Sequence, residues 1–164
     1  MPITVQNSGA AARALIRSAA PSDLSAVERL LTESKLPLDG VRESLATFLV
    51  AESGGTIVGV AGLEVCGEHA LLRSVAVAPA WRSKGLGREL VNRITADAER
   101  RGIHALYLLT TTAESYFPSF GFARVARADV PPDVQETAEF RGACPASATV
   151  MRRATHPSNE TNPA

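Results

Sequence analysis

The chain has few of the residues and runs that mark several classes of protein. Its two cysteines and three histidines form neither a CxxC motif nor a metal-ligand spacing, so neither a disulfide framework nor a metal site is indicated. No apolar run is long enough to cross a membrane, and the first residues lack the charged and apolar regions of a secretory signal. The sequence therefore predicts a reduced, cytoplasmic protein with no metal and no membrane partner.

An excess of charge of one sign is also missing. Seventeen acidic residues balance seventeen Lys and Arg residues, so nothing global favours nucleic acid as a partner. The length of 164 residues and the 45% hydrophobic content suit one sizeable core. We expect a single domain over residues 13–153, with a loose arm before it (1–12) and a disordered polar tail after it (154–164).

The chain does contain a strand, a glycine-rich turn and a helix in direct succession. Residues 70–78 form an apolar run of the length of a buried strand, which Pro79 ends. The turn RSKGLG, residues 82–87, leads into an amphipathic helix that Gly102 ends. Such a turn directs backbone amides and the positive helix end at an anion. It is neither a P-loop nor a dinucleotide fingerprint, because Lys84 precedes the glycine and the third glycine is missing.

Shorter elements surround this unit. The long helix connects the central strand to residues 105–110, which implies a parallel pair at that point. The earlier strands follow each other through tight turns and should be antiparallel, so the sheet is mixed. The predicted elements are helices at 23–34 and 41–47, strands at 14–17, 48–52, 56–65, 122–127 and 148–152, a short helix between Thr112 and Gly121, and a helical turn near Val134.

The Arg-x-x-Gly-x-Gly turn after a Val-x-Val strand resembles the acyl-coenzyme A loop of the GNAT superfamily of N-acetyltransferases. The resemblance covers roughly residues 15–153. It implies an α/β (α+β) GNAT fold: a mixed, mostly antiparallel sheet of about six to seven strands, with helices on both faces and the central parallel pair splayed. It also implies acetyl-coenzyme A as cosubstrate, held by Val75, Ala76, Val77, Arg82, Ser83, Lys84, Gly85, Leu86, Gly87 and Arg88.

The catalytic residues are less clearly indicated. Many members have a tyrosine four residues before a Gly-Phe pair, as the acid for the departing thiolate. Here Phe117 holds that position and Tyr116 is one residue early, so Tyr116 is the candidate acid, with aromatic packing as the alternative. A thiolate can also leave unaided or through water. The attacking amine must lose a proton, and Glu64, a charge inside an apolar strand, is the candidate base; an outward-facing strand residue is the alternative.

Arg73 is a second charge inside an apolar strand. An arginine there could bind a substrate carboxylate bidentately, and the alternative is an ion pair with Glu64 or Glu68. Cys144 is either a structural thiol or a residue facing the acceptor, and no activating partner for a nucleophile is indicated.

A narrower resemblance lies in residues 71–77, 108–113 and 139–148. Together they are similar to the small arsenic-resistance N-acetyltransferases, and the Leu-Thr-Thr run also resembles amino-acid N-acetyltransferases such as N-acetylglutamate synthase. This implies a small amino-acid-like amine acceptor, with arsinothricin and phosphinothricin as testable substrates. A peptide or polyamine acceptor and a non-catalytic acyl-coenzyme A sensor stay open. Members of the superfamily often form homodimers, although no exposed apolar stripe in this sequence identifies an interface.

Overall fold

The computed structural model describes residues 13–155. The strands are β1 Leu15–Ser18, β2 Phe48–Ser53, β3 Thr56–Cys66, β4 His69–Val77, β5 Ala105–Thr110, β6 Ala123–Arg124 and β7 Thr149–Ala154. They form one sheet in the order β1-β2-β3-β4-β5-β7-β6. In this sheet β4 and β5 run parallel, and the other neighbouring pairs are antiparallel.

Helices cover both faces of the sheet. They are α1 Leu24–Glu33, α2 Val41–Ser44, α3 Leu86–Arg100 and α4 Pro132–Gln135, with a π turn at Glu139–Ala143. The apolar side of α3 packs with Leu72 of β4, whereas Leu71 packs with Val134 of α4 on the opposite face. Helix α1 packs on that same opposite face, through Ala76. No helix in the described part of the chain is long and apolar enough to cross a membrane.

A bulge in β4 changes which side chains point to which face. The pairing with β3 passes from Gly62 opposite Arg73 to Val60 opposite Ala76, so one extra residue lies on β4. Ser74 has a left-handed backbone, with φ 59°. Because an extra residue reverses the alternation of a strand, Arg73 and Ala76 share one face and Val75 lies on the other.

The parallel pair separates part-way along its length. The ladder between β4 and β5 ends at Leu71 opposite Tyr107, although the strands continue to Val77 and Thr110. Main-chain groups of β4 beyond Leu71 therefore have no partner in β5. The predicted fold class is confirmed: a seven-stranded mixed sheet with helices on both faces and a splayed central pair.

Several local predictions were wrong. The predicted strand at 122–127 is reduced to Ala123–Arg124, because a 3₁₀ turn begins at Arg127. No α-helix follows Thr112; Ala113 N–H instead donates to Thr110 Oγ1, and a 3₁₀ turn spans Phe117–Phe120. The burial of the Phe117 and Phe120 rings in the core fixes this tighter turn.

Side-chain hydrogen bonds hold both ends of the domain. The carboxylate of Asp23 precedes α1 but makes no cap to it; it accepts instead from the Ala20 amide and from Arg17. Strand β7 continues through Ala154, and the buried Thr155 hydroxyl donates to Ile103 O, so both residues belong to the fold. The predicted arm (1–12) and residues 156–164 of the predicted tail lie outside the described residues.

Candidate active site

The separation of β4 and β5 opens a cavity of about 190 Å³, called here the cleft. The connection between α1 and α2 and the π turn supply its remaining walls. It is lined by Leu36, Pro37, Leu72, Arg73, Ser74, Val75, Leu108, Leu109, Thr110, Thr112, Ala113, Tyr116, Phe117, Glu139 and Cys144. The cleft therefore has mostly apolar walls with a few polar and charged groups, and it lies between two strands that no longer pair. Small-molecule sites commonly have this kind of lining.

A second cavity, of about 280 Å³, lies at the glycine-rich turn and is called here the loop cavity. Gly85 precedes α3 with φ 85°, a left-handed conformation that glycine adopts without strain, and a Cβ placed there would meet no atom within 4 Å. The free amides of the first turn of α3 and its positive end suit an anion. The cavity is lined by Val77, Arg82, Ser83, Gly85, Gly87, Arg88 and Tyr116.

Tyr116 lines both cavities. A Cβ placed on Gly87 would lie 3.3 Å from the Tyr116 hydroxyl oxygen, so the ring reaches from the cleft to the start of α3. Its edge packs against Phe117 and Phe120, which are both buried. Burial raises the pKa of the Tyr116 hydroxyl, and the nearby Arg88 opposes this shift. The hydroxyl is therefore protonated at neutral pH and able to donate.

Arg73 is the most completely buried charge of the cleft, with no exposed side-chain surface (0%). Its Nη1 donates to Glu64 Oε1 at 3.0 Å, and its Nε donates to Ser74 Oγ at 3.0 Å. Its Nη2 lies 3.5 Å from Glu139 Oε2. Gly40 packs over the guanidinium with φ 83°, and a Cβ there would lie 2.9 Å from Nη1, so only glycine suits this position.

Glu139 and Cys144 form a contact pair beside Arg73. Burial raises the pKa of the Glu139 carboxyl, against the attraction of Arg73. The neighbouring Cys144 side chain also lowers the pKa of this carboxyl. Burial and the charge of Glu139 together raise the pKa of Cys144 to about 12, so the thiol is protonated at neutral pH. Such a thiol is a poor nucleophile.

The sequence matches the model of the family described as "Acetyltransferase (GNAT) family" over residues 12–125, which is more than half of the chain. The chain belongs to the GNAT acetyltransferase family. The predicted superfamily is thereby confirmed. The match ends before the π turn that carries Glu139, so this part of the cleft lies beyond the matched region.

Relatives of this GNAT chain include enzymes of amino-acid acetylation. The amino-acid acetyltransferase of Aeromonas salmonicida is 33% identical over 90 residues, covering 54% of this chain and 20% of that protein. The uncharacterized N-acetyltransferase CT2212 of Chlorobaculum tepidum is 28% identical over 126 residues, covering 71% of this chain and 80% of that protein. The chain thus spans about a fifth of the first relative's length and most of the second's.

A solved structure shares the fold. The N-acetylglutamate synthase from Neisseria gonorrhoeae, complexed with coenzyme A and N-acetyl-glutamate, matches with a TM-score of 0.76 and 23% identity. The match covers 88% of this chain and 36% of that chain. At 23% identity this similarity shows a shared fold and nothing more.

The GNAT domain brings together part of the predicted cosubstrate set. Val75 lines the cleft, and six of the predicted residues line the loop cavity: Val77, Arg82, Ser83, Gly85, Gly87 and Arg88. Lys84 and Leu86 line a different cavity with Trp81, and the Ala76 side chain is buried against α1. Arg82 Nε donates to Val77 O at 2.9 Å, which ties the turn to the end of β4. The cosubstrate assignments stay predictions.

The predicted catalytic and acceptor residues lie close together around Arg73. Glu64 contacts the guanidinium, which is the ion pair predicted as the alternative to a substrate-binding role for Arg73, and it is not among the residues that line the cleft. The roles predicted for Glu64, Tyr116 and Arg73 are not tested by this geometry. Within residues 13–155 no group of three or more His, Cys, Asp or Glu side chains is placed to hold a metal ion, and a metal-free reaction stays a prediction.

Glu139 was missed as a site residue by sequence reasoning. It lies in a segment that carries the narrower family resemblance, but the π turn that directs it into the cleft has no simple periodicity in the sequence. The available signal was an acidic residue next to Phe140 in an otherwise unassigned connection, which by itself favours a solvent-exposed position.

Proposed function

We propose that this GNAT domain transfers the acetyl group of acetyl-coenzyme A to the primary amine of a small amino-acid-like acceptor. The observation that carries the proposal is the pairing of charges in the cleft, where Arg73 Nη2 lies 3.5 Å from Glu139 Oε2. An α-amino acid carries the complementary pair, a carboxylate for the guanidinium and an ammonium group for the carboxylate. A polyamine would leave the guanidinium without a partner in the ligand.

The loop cavity fits the pyrophosphate of the cosubstrate. The left-handed Gly85 leaves the turn open, the amides before α3 are free of helical partners, and Arg82 and Arg88 add positive charge. The splayed part of β4 leaves main-chain groups near Val75 for the pantetheine arm and for polarising the thioester carbonyl. The coenzyme A bound by the N-acetylglutamate synthase from Neisseria gonorrhoeae supports the same cosubstrate for this fold.

The residues of the cleft can also supply the proton transfers. Only a free amine attacks a thioester, and an α-amino group is mostly protonated at neutral pH, so a base is needed. Glu64, predicted from the sequence as this base acting directly or through water, contacts Arg73 and does not line the cleft, whereas the Glu139 carboxylate does. Tyr116 is proposed to give a proton to the departing thiolate, because its protonated hydroxyl lies between the two cavities.

Arsinothricin and phosphinothricin are proposed as acceptors to test first. Both are glutamate mimics with an α-carboxylate and an α-amino group, and residues 71–77, 108–113 and 139–148 resemble the small arsenic-resistance N-acetyltransferases. The amino-acid acetyltransferases among the relatives support the same class of acceptor.

The test is release of the coenzyme A thiol from acetyl-coenzyme A with a panel of amines: L-glutamate, L-arginine, phosphinothricin, arsinothricin, an aminoglycoside and short peptides. We expect turnover of α-amino acids, and a rise in their KM of about 100-fold in Arg73→Ala, since loss of a charged hydrogen bond costs about 1.5–3 kcal/mol. The matched control is Arg17→Ala, which removes an arginine that also contacts two carboxylates but lies outside the cleft.

Turnover restricted to peptides or aminoglycosides would overturn the amino-acid acceptor. Binding of acetyl-coenzyme A, seen as a higher melting temperature, without turnover of any amine would favour a non-catalytic sensor.

A further inference from the structure

The two carboxylates beside Arg73 differ in what they can reach. Glu64 Oε1 accepts from Nη1 at 3.0 Å, and Glu64 is not among the residues that line the cleft. Glu139 Oε2 is 3.5 Å from Nη2, a looser contact, and Glu139 lines the cleft. Among the described residues that line the cleft, Glu139 supplies the one carboxylate.

The chain places this carboxylate with a local distortion of the backbone. Glu139 begins a π turn in which Gly142 has φ 137°, and the Cys144 amide donates back to Glu139 O at 3.1 Å. Burying a carboxylate costs free energy unless its contacts compensate, and here they are one long ion pair and one thiol. The position is therefore poorly explained by stability alone.

Other groups in the cleft are less suited to accepting a proton. Burial and the charge of Glu139 raise the pKa of the Cys144 thiol to about 12, so the thiol stays protonated. Burial also raises the pKa of the Tyr116 hydroxyl, which is therefore protonated at neutral pH. Thr110 Oγ1 already accepts from the Ala113 amide. Burial raises the pKa of the Glu139 carboxyl, so its carboxylate binds a proton more strongly than an exposed carboxylate does. A general base needs this higher proton affinity.

We propose that Glu139 takes the proton from the ammonium group of the acceptor, and that Glu64 is a positioning residue that holds Arg73. This inference rests on the proposed function. Glu139 accepts one ammonium proton; the free amine attacks the thioester carbonyl, a C–N bond forms and the C–S bond breaks. The second proton of the nitrogen goes to the departing thiolate, through Tyr116 or water, and Glu139 then releases its proton to solvent.

The experiment follows the single-turnover rate of acetyl transfer against pH, with enzyme in excess over acetyl-coenzyme A, so that product release does not limit the rate. The acceptor is L-glutamate, or the panel amine with the highest kcat/KM. In the wild type we expect the rate to become level above the pKa of Glu139, where the carboxylate is ionised. In Glu139→Gln we expect a rate about 10²–10⁴-fold lower, the usual contribution of a general base, rising tenfold per pH unit towards the pKa of the amine.

Glu64→Gln is the matched variant. It removes the other carboxylate on the same guanidinium, so a purely structural effect of disturbing Arg73 should appear in both variants. We expect Glu64→Gln to keep the level region of the pH profile, with a rate within about tenfold of the wild type and a higher KM for amino acids. Glu139→Asp should also keep the level region at a reduced rate, because it retains a carboxylate. Equal shifts of the melting temperature by coenzyme A would show that the variants are folded.

A Glu139→Gln rate within threefold of the wild type would overturn the inference. Loss of the level region of the pH profile in Glu64→Gln, with that region kept in Glu139→Gln, would also overturn it and would identify Glu64 as the base. In both cases acetyl transfer by the wild type would remain, so the proposed function would stand. If the wild type acetylates no amine on the panel, the proposed function fails and the inference fails with it.

Discussion

Two arginines in this fold each contact two carboxylates, and the two clusters behave in opposite ways. The edge cluster consists of Arg17, Asp23 and Glu52, and its arginine side chain is 33% exposed. The cleft cluster consists of Arg73, Glu64 and Glu139, and its arginine side chain is 0% exposed. The charges are the same in number and sign.

The difference lies in which effect sets the proton affinity of a carboxyl. In the edge cluster the hydrogen bonds from Arg17 hold the pKa of Asp23 below its usual value. In the cleft cluster the burial of Glu139 raises its pKa, and the attraction of Arg73, at 3.5 Å, only reduces the shift. Short hydrogen bonds from a partly exposed arginine therefore favour the charged form of a carboxyl, whereas in the cleft the loose ion pair leaves burial to favour the protonated form.

The largest expected effect on stability is that of removing Arg73, compared with removing Arg17. Arg73→Met leaves the buried Glu139 and the partly buried Glu64 without their cation, and we expect it to lower the free energy of unfolding by about 3–5 kcal/mol. Arg17→Met leaves Glu52 in contact with solvent and leaves Asp23 with the Ala20 amide as a remaining donor, and we expect a loss of about 1 kcal/mol. Urea unfolding at pH 7 measures both.

A double variant sharpens this result. Arg73→Met with Glu139→Gln removes the charge that Arg73→Met leaves uncompensated, so at least about 1 kcal/mol should be recovered. If the stability lost in the double variant equals the sum of the losses in the two single variants, Glu139 is already neutral at pH 7 in the wild type.

The fold of the region around both clusters could be predicted from the sequence, because it follows from periodicity. The apolar run of β4 and the repeat of Leu86, Leu90 and Ile94 along α3 gave correct elements, and the helix crossing gave the parallel pair. The charged clusters were harder to predict, because a charge in a strand pattern does not reveal its partner. Arg73 and Glu64 were recognised as unusual from their apolar neighbours alone.

The missing parts of the site depend on irregular backbone. The Ser74 bulge sets the face on which Ala76 and Val75 lie, and the π turn directs Glu139 into the cleft; neither follows a period of 2.0 or 3.6 residues. The aromatic segment before Gly121 forms a 3₁₀ turn, so its helical spacing could not be used to place Tyr116. Only the packed structure shows that Tyr116 lines both cavities.

The pH dependence of stability should differ in sign between the clusters. Glu139 has a folded pKa above its unfolded value, so the folded state binds more protons and the wild type should lose stability relative to Glu139→Gln as pH rises from about 4 towards neutral. Asp23 has a folded pKa below its unfolded value. Its contribution is present above about pH 4 and should be lost as pH falls further, so the cost of Asp23→Asn shrinks there.

Chemical denaturation from pH 3 to pH 8 measures these differences, and a tenfold difference in proton affinity corresponds to about 1.4 kcal/mol. Parallel pH dependences of the two variants would contradict the contrast between the clusters, because they would place both carboxyls in the same environment.

The smallest expected effect is that of salt. Raising the ionic strength from about 0.05 M to about 1 M shortens the Debye length to about 3 Å, and ions then screen charges that solvent can reach. The stability lost in Arg17→Met should therefore fall by about 0.5 kcal/mol, while the loss in Arg73→Met should change by less than about 0.2 kcal/mol, since ions do not enter a site with no exposed side-chain surface. An equal salt response would mean that water and ions reach Arg73 through the cleft. In that case burial could not be the reason for the raised pKa of Glu139, and the edge and cleft clusters would differ only in geometry.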